Sequence, residues 1–221
     1  MQLQNNLLPQ TCGKIAGREF PSLLPRASFP AWGITIETMT QRFETRQWVP
    51  FPVELVFAFF ANPSNLPHLM PPKMKGRIED VRLQPPPPRP VAADRARRFQ
   101  SVAAGEGSEI LISFCPVSWL PQRVSWMARI TEFAWNSHFI DEQVRGPFKK
   151  FRHRHGIAAA VRDGIEGTLV ADAVEFALPF GVIGALAGGI VRGQLEKSFD
   201  YRQMRLPEIL AAAARQAVKR A

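Results

Sequence analysis

The chain has 221 residues, 46% of them hydrophobic and 16 of them phenylalanine, which is enough for a sizeable core and excludes wholesale disorder. The formal net charge is +9 and the pI about 10.4, but the cations are scattered, so simple solubility explains them as well as an anionic neighbour does. Only Cys12 and Cys115 are present and neither has metal-ligand spacing, which argues against a disulfide framework and for a reducing, cytoplasmic compartment.

Residues 1–38 contain Pro9, Pro21, Pro25 and Pro30 and hold no amphipathic period beyond one turn. They read as a poorly ordered extension. Residues 1–10 are too polar for a secretory signal, whereas Lys14, Arg18 and Arg26 against Glu19 leave a transit peptide open. Regular patterning begins after Met39, which makes Met39 a candidate start codon and 39–221 the expected domain. Phe43, Thr45, Gln47 and Val49 alternate with Arg42, Glu44, Arg46 and Trp48, the period of a strand. Pro52 is placed to open a helix whose apolar face is Val56, Phe57, Phe59 and Phe60; Asn62-Pro63 stops it, and Asn62 or Ser64 caps a second short helix ending near Pro71-Pro72.

Residues 75–83 read as a strand. The prolines at 85–88 and 90 form an extended, exposed loop. Apolar runs follow at 109–117, 122–133, 137–145, 148–159 and 167–178, most separated by Gly or Pro, the spacing of an antiparallel meander. Cys115 falls within such a run and reads as a small buried hydrophobe. Residues 180–206 have helical spacing, with Val191, Leu195, Phe199 and Leu206 on one side and Arg192, Glu196, Lys197 and Arg202 mostly elsewhere. Pro207 is expected to bend or restart this helix and 211–214 to extend it. Residues 176–191 are uncharged and, with the residues just after them, place Gly184, Gly188, Gly189 and Gly193 at small-xxx-small spacing. The stretch is shorter than the roughly 20 residues of a membrane span and carries Pro179 and Gly181 at its start, so it reads as the buried beginning of a helix.

The ordered set Phe43, Val49-Pro50-Phe51-Pro52, Val56-Phe57, Asn62-Pro63, Leu66 and Pro71-Pro72 opens a resemblance. It continues with Phe139-Ile140-Asp141-Glu142-Gln143, Gly146-Pro147-Phe148, Phe151, His153 and His155, and ends with Thr168, Asp172, Phe176, Leu178-Pro179-Phe180-Gly181 and Phe199-Asp200-Tyr201-Arg202. Over residues 40–206 the chain resembles bacterial members of the START-like superfamily, the polyketide cyclase/dehydrase and lipid transport group. The resemblance implies an α+β helix-grip fold, an antiparallel sheet curling around a long C-terminal helix with a cavity between them. It further implies lipid or quinone carriage, or polyketide cyclisation and dehydration. The proline loop and the extension match nothing in that pattern.

Alternation places Phe151, His153, His155 and Ile157 on one face, Thr168, Val170, Asp172, Val174 and Phe176 on one face, and Phe139 with Asp141. A polar cluster of His153, His155, Asp172, Thr168 and Asp141 is therefore expected on the concave side. It reads first as a satisfied buried network, then as a set that orients an apolar guest, and last as acid–base or metal chemistry through His-x-His. No nucleophile elbow, Walker loop or dinucleotide fingerprint is present, so no cofactor and no metal are assigned. Lys150, Arg152 and Arg154 should lie on the outer face. They read as a solvated surface before a contact for anionic membrane, and nucleic acid is not an expected partner.

These readings converge on non-covalent binding of a hydrophobic small molecule, such as a lipid, an isoprenoid or quinone, or a polyketide. The expected lining is Phe57, Phe60, Leu66, Leu69, Leu111, Trp126, Phe139, Phe151, His153, His155, Thr168, Asp172, Phe176, Ile183 and Leu186. The alternatives are a cyclase or dehydratase using His153 or His155 with Asp172, and a membrane-surface or protein-interaction module.

Overall fold

In the computed structural model, seven strands among the described residues make an antiparallel sheet in the order β1-β7-β6-β5-β4-β3-β2. They are β1 (Gln41–Val49), β2 (Arg77–Arg82), β3 (Glu109–Phe114), β4 (Val124–Ala134), β5 (His138–Arg145), β6 (Lys150–Arg162) and β7 (Ile165–Ala177). Helices α1 (Val53–Ala61) and α2 (Leu66–Leu69) lie between β1 and β2, and α3 (Gly181–Arg220) follows β7. The structure describes residues 40–90, 101–116, 122–179 and 181–220, with α3 side chains described from 188 to 215. The expected extension over 1–38, Cys12, and the side chains of Ile183 and Leu186 lie outside the described residues. A curved antiparallel sheet with a long C-terminal helix is the helix-grip α+β arrangement.

β1 pairs along its whole length with β7, from Gln41 opposite Phe176 to Val49 opposite Thr168. The chain then turns into α1. Pro52 stands just before the first helical residue, with extended ψ, and its carbonyl accepts from the Leu55 and Val56 amides at 3.1 Å each. Asn62 ends α1 in an extended conformation, and its Oδ1 accepts from the Ser64 amide at 3.1 Å. β6 and β7 join through Asp163 and Gly164, both at positive φ (53° and 76°), the two-residue turn that matches strand twist. The proline segment leaves β2 extended, and Trp135 ties it down: Trp135 Nε1 donates to the Pro87 carbonyl at 2.7 Å, and the Arg89 guanidinium lies 4.3 Å from the indole centroid.

α3 runs through Pro207 without a break in the helix. Phe199, Arg202, Leu206 and Leu210 are buried along one stripe. The expectation that Arg202 faces away from this stripe is therefore corrected. Residue 202 comes three after Phe199 and four before Leu206, so helical geometry places it between them. Near the start of α3, Gly188 leaves room for the Gln41 side-chain amide, which would have to swing aside to admit a Cβ there. No helix among the described residues is long and apolar enough to cross a membrane.

The core divides into two clusters. One joins Phe57, Phe139, Ile157, Val170, Leu206 and Leu210; the other joins Phe43, Phe151, Val174, Phe176 and Phe199. Trp126 packs against both. Cys115 is buried, as its apolar run predicts.

Candidate ligand-binding site

β6 is the strand on which the site is built. It alternates as the sequence predicts, with Phe151 and Ile157 buried inward and Arg154 exposed outward. Pairing sets His155 opposite Asp172 of β7 and Phe139 of β5, and sets His153 opposite Asp141 of β5. Four side chains from three strands thus meet on the concave face, and Arg202 reaches them from α3.

The contacts form a closed network. His153 Nε2 lies 2.9 Å from Asp172 Oδ1, and His155 Nε2 lies 2.9 Å from Asp141 Oδ2. Asp172 Oδ2 accepts from Arg202 Nη2 in a buried ion pair. The two imidazoles lie against one another with centroids 3.7 Å apart and planes tilted by 37°, and His155 stacks on Phe139 at 4.2 Å and 17°. The Arg202 guanidinium sits 4.4 Å from the Phe199 ring centroid and 5.4 Å from that of Phe60. Thr168, expected in this cluster, lies apart from it and donates to the Phe51 carbonyl at 2.6 Å.

Above the network is a cavity of about 250 Å³. Its walls come from the end of α1 and the segment after it, from β3 to β6, and from one face of α3. Of the expected lining, Phe60, Leu66, Leu69, Trp126, Phe139, Phe151, His153 and His155 face it. Phe57, Leu111, Thr168, Asp172 and Phe176 do not. Phe57 and Phe176 are wholly buried in the two core clusters. Leu111 points to the opposite face of β3 from Ile110 and Ile112, which do line the cavity. Asp172 is screened from the cavity by the two histidines it holds. Sequence reasoning missed Met70, Met74, Ile130, Leu195 and above all Arg202.

Burial and neighbours push the ionisable groups apart. Desolvation and the adjacent His155 lower the pKa of His153, despite its bonds to carboxylates. Desolvation acts on His155 as well, but hydrogen bonds to Asp141 and Asp172 outweigh it and raise its pKa. Desolvation would raise Asp172, yet the charge of Arg202 and the two imidazoles hold it well below its ordinary value. Of the two imidazoles, His155 is therefore the one that holds a proton to the higher pH. One donor atom each from Asp141, His153 and His155 falls within 4.8 Å of the others, a set of the kind that holds a divalent cation. In this structure the 2.9 Å His155–Asp141 hydrogen bond bridges that space.

These shifts fix a pH dependence. Asp172, with a depressed value, contributes stability that is present above its ordinary 3.8 and is lost as pH falls through the folded value. His153, also depressed, favours the folded state above its ordinary 6.5 and ceases to do so as pH falls below it. His155, raised, contributes below 6.5 and loses that contribution as pH rises through its folded value. The two windows meet at 6.5 without overlapping, so urea midpoints should be highest near 6.5, fall on the alkaline side through His155, and fall on the acid side through His153 and then Asp172. Imidazole NMR titration should show one of these two rings titrating above 6.5 and the other below it; two coincident titrations near 6.5 would contradict the network.

The outer face of β6 carries paired cations. Arg152 reaches Glu132 at 3.3 Å and Glu142 at 3.2 Å, and Lys150 reaches Glu175 at 3.6 Å. Such cross-strand ladders are what a solvated sheet face presents.

No protein-family model matches the chain, and no curated protein matches it in sequence. Among solved structures, a START superfamily protein from Mycobacterium smegmatis aligns with 77% of this chain and 97% of its own, at 13% identity and a TM-score of 0.50. The chain has a START-like fold. A protein from Thermus thermophilus is similar over 78% of this chain and 99% of its own, at 16% identity and a TM-score of 0.48. Norcoclaurine synthase from Thalictrum flavum, solved with dopamine and hydroxybenzaldehyde, is similar over 78% of this chain and 90% of its own, at 12% identity and a TM-score of 0.48. At such identities the likeness is one of fold, and START-like folds host many tasks, so function has to be argued from the site.

Proposed function

We propose that this START-like domain binds a small hydrophobic molecule non-covalently in the cavity beneath α3. One observation carries this: a cavity of about 250 Å³ whose walls are mostly apolar, with Asp141, His153, His155 and Arg202 gathered as a charged and polar patch on one side and Asn62, Asn65 and Ser198 as its other polar residues. A satisfied polar network alone needs no adjoining space. Each 100 Å² of ligand surface removed from water contributes about 2.5 kcal/mol, and the polar patch sets orientation. The volume lies just below the roughly 300–1,000 Å³ typical of drug-sized sites, which favours a compact ring system or a short isoprenoid over a two-chain lipid. The test is titration with the neutral fluorophore N-phenyl-1-naphthylamine, together with native mass spectrometry of protein from its source. Saturable binding weakened by Leu66→Trp, which fills the cavity, supports the reading. No binding to the unmodified protein sinks it.

A second reading is favoured by one specific observation: two imidazoles in contact at the cavity wall have pKa values pushed in opposite directions, the arrangement that separates an acid from a base. His155 would donate a proton and His153 accept one, as in enolisation, cyclisation or dehydration. His153→Gln with His155→Gln should leave the affinity for the fluorophore within about tenfold. If the domain is an enzyme of this kind, it should also accelerate deuterium exchange at the methyl group of 2-acetylnaphthalene, and the double variant should not. Absence of exchange by the unmodified protein would leave the carrier reading alone.

A further inference from the structure

His-x-His on β6 offers two imidazoles on one face, and the pairing of β5 with β6 sets a carboxylate beside them, with Asp141 directly opposite His153. Asp172, ion-paired with Arg202, can only accept, so the 2.9 Å contact from His153 Nε2 is an N–H donated to it. In the neutral ring the lone pair then belongs to Nδ1. That atom has no hydrogen-bond partner among the described residues, yet it is not one of their buried unpaired polar atoms, so it keeps accessible surface on a residue that lines the cavity. It lies 3.8 Å from Asp141 Oδ2, too far for a hydrogen bond. Two acceptors thus stand across a gap that neither can close. His155 Nε2 lies 2.9 Å from the same oxygen.

We infer that Asp141 Oδ2, His153 Nδ1 and His155 Nε2 bind one divalent transition-metal ion of the Zn2+ class at the cavity wall. Two metal–ligand bonds of about 2.1 Å meeting at a tetrahedral angle set their donor atoms about 3.4 Å apart, and the separations here, 2.9 and 3.8 Å, fall either side of that value. The outer shell is in place as well. A metal-bound imidazole holds its other ring N–H to a carboxylate or carbonyl, which fixes ring and tautomer. Asp172 Oδ1 lies 2.9 Å from His153 Nε2 and 3.3 Å from His155 Nδ1, the two nitrogens that would not touch the metal. Binding replaces the proton between His155 Nε2 and Asp141, and that proton leaves to solvent. Two imidazoles and one carboxylate suit Zn2+, Co2+ or Fe2+ rather than Ca2+ or Mg2+, which favour all-oxygen sets. With three protein ligands the ion keeps a position for water or for an oxygen of a molecule in the cavity. A metal here takes the nitrogens that proton transfer would use, so the acid–base reading applies to the metal-free protein.

The whole chain, stripped with a chelator and titrated calorimetrically with ZnCl2 alone, tests this. One equivalent should bind with a Kd of about 10 μM or tighter. Loss of an outer-shell partner costs about 10–100-fold in metal affinity, so Asp141→Asn and His153→Gln, which each remove a direct ligand, should weaken binding at least about tenfold. His68→Gln with His138→Gln removes the other two of the four histidines, neither of which lines the cavity, and should leave the affinity unchanged. So that a misfolded variant does not decide the outcome, imidazole nitrogen NMR shifts of the unmodified protein are read with and without Zn2+. His153 Nδ1 and His155 Nε2 should move to metal-bound values while the other nitrogen of each ring stays protonated. Weaker binding than this, binding undiminished in folded Asp141→Asn, binding lost with His68 and His138, or metal shifts on other nitrogens overturns the inference. The fluorophore titration is run without metal, so failure of either reading leaves the other standing.

Discussion

Replacing Arg202 with methionine is expected to destabilise the fold by about 3–5 kcal/mol, read as a fall in the urea midpoint at neutral pH. The arginine makes a buried ion pair with Asp172, whose side chain is 1% exposed. Removing the cation leaves that carboxylate ionised in a dry site with two imidazoles as its remaining partners, and the cost is that of an uncompensated buried charge. The variant should also raise the Asp172 pKa, because the guanidinium is the leading influence holding it down against desolvation. Combining Arg202→Met with Asp172→Asn removes both charges and should recover much of the loss, since replacing a buried pair as a whole is often near neutral. Equal destabilisation of the single and double variants would show that packing of the arginine stem against Phe60 and Phe199, and not charge, is what matters.

Phe57→Ala should cost a similar amount, about 3–5 kcal/mol, by a different route. Phe57 is completely buried and meets Phe133, Trp135 and Phe139 with centroids 5.4, 5.5 and 6.1 Å away. Its removal opens a hole at the seam between α1 and the sheet that rigid aromatic neighbours fill poorly. Because Phe57 does not line the ligand cavity, Phe57→Leu, which keeps most of the volume, should leave fluorophore affinity unchanged. A marked loss of affinity in Phe57→Leu would mean that the hole and the cavity communicate.

The strands, the long helix and the histidine cluster were legible because each rests on a local period. His153 and His155 are two apart on a strand, and Asp172 is an even number of residues from Thr168, Val170, Val174 and Phe176, so their common face follows from pleat geometry. Arg202 was illegible for a reason of chemistry. A cation in a helix is assigned to solvent unless a buried anion is known to wait for it, and the anion is thirty residues upstream in sequence on another element. The signal was available, since Phe199 and Leu206 bracket Arg202 on one stripe. Leu111 shows the converse limit: in a strand as apolar as 110–112, composition does not say which alternate is inward, and Ile110 and Ile112 take that role. Phe57 and Phe176 were rightly seen as inward-facing, but alternation cannot separate a residue that lines a cavity from one that lies beneath its wall. Nor could the sequence show that the proline loop is held by Trp135, because that contact joins residues 48 apart.

The strand order has a consequence in time. β1 is the first of the described strands to be made, but its partner is β7, so its hydrogen-bonding edge waits until residue 177 has been synthesised. With ribosomes adding about 5–20 residues per second, the roughly 130 intervening residues take on the order of 6 to 26 s. Throughout that interval the nascent chain has Phe43 and Val49 without the strand that covers them, and Asp172 emerges before the arginine that neutralises it. A factor that shields apolar nascent segments would therefore act once β1 has emerged and be released only after β7 has followed it.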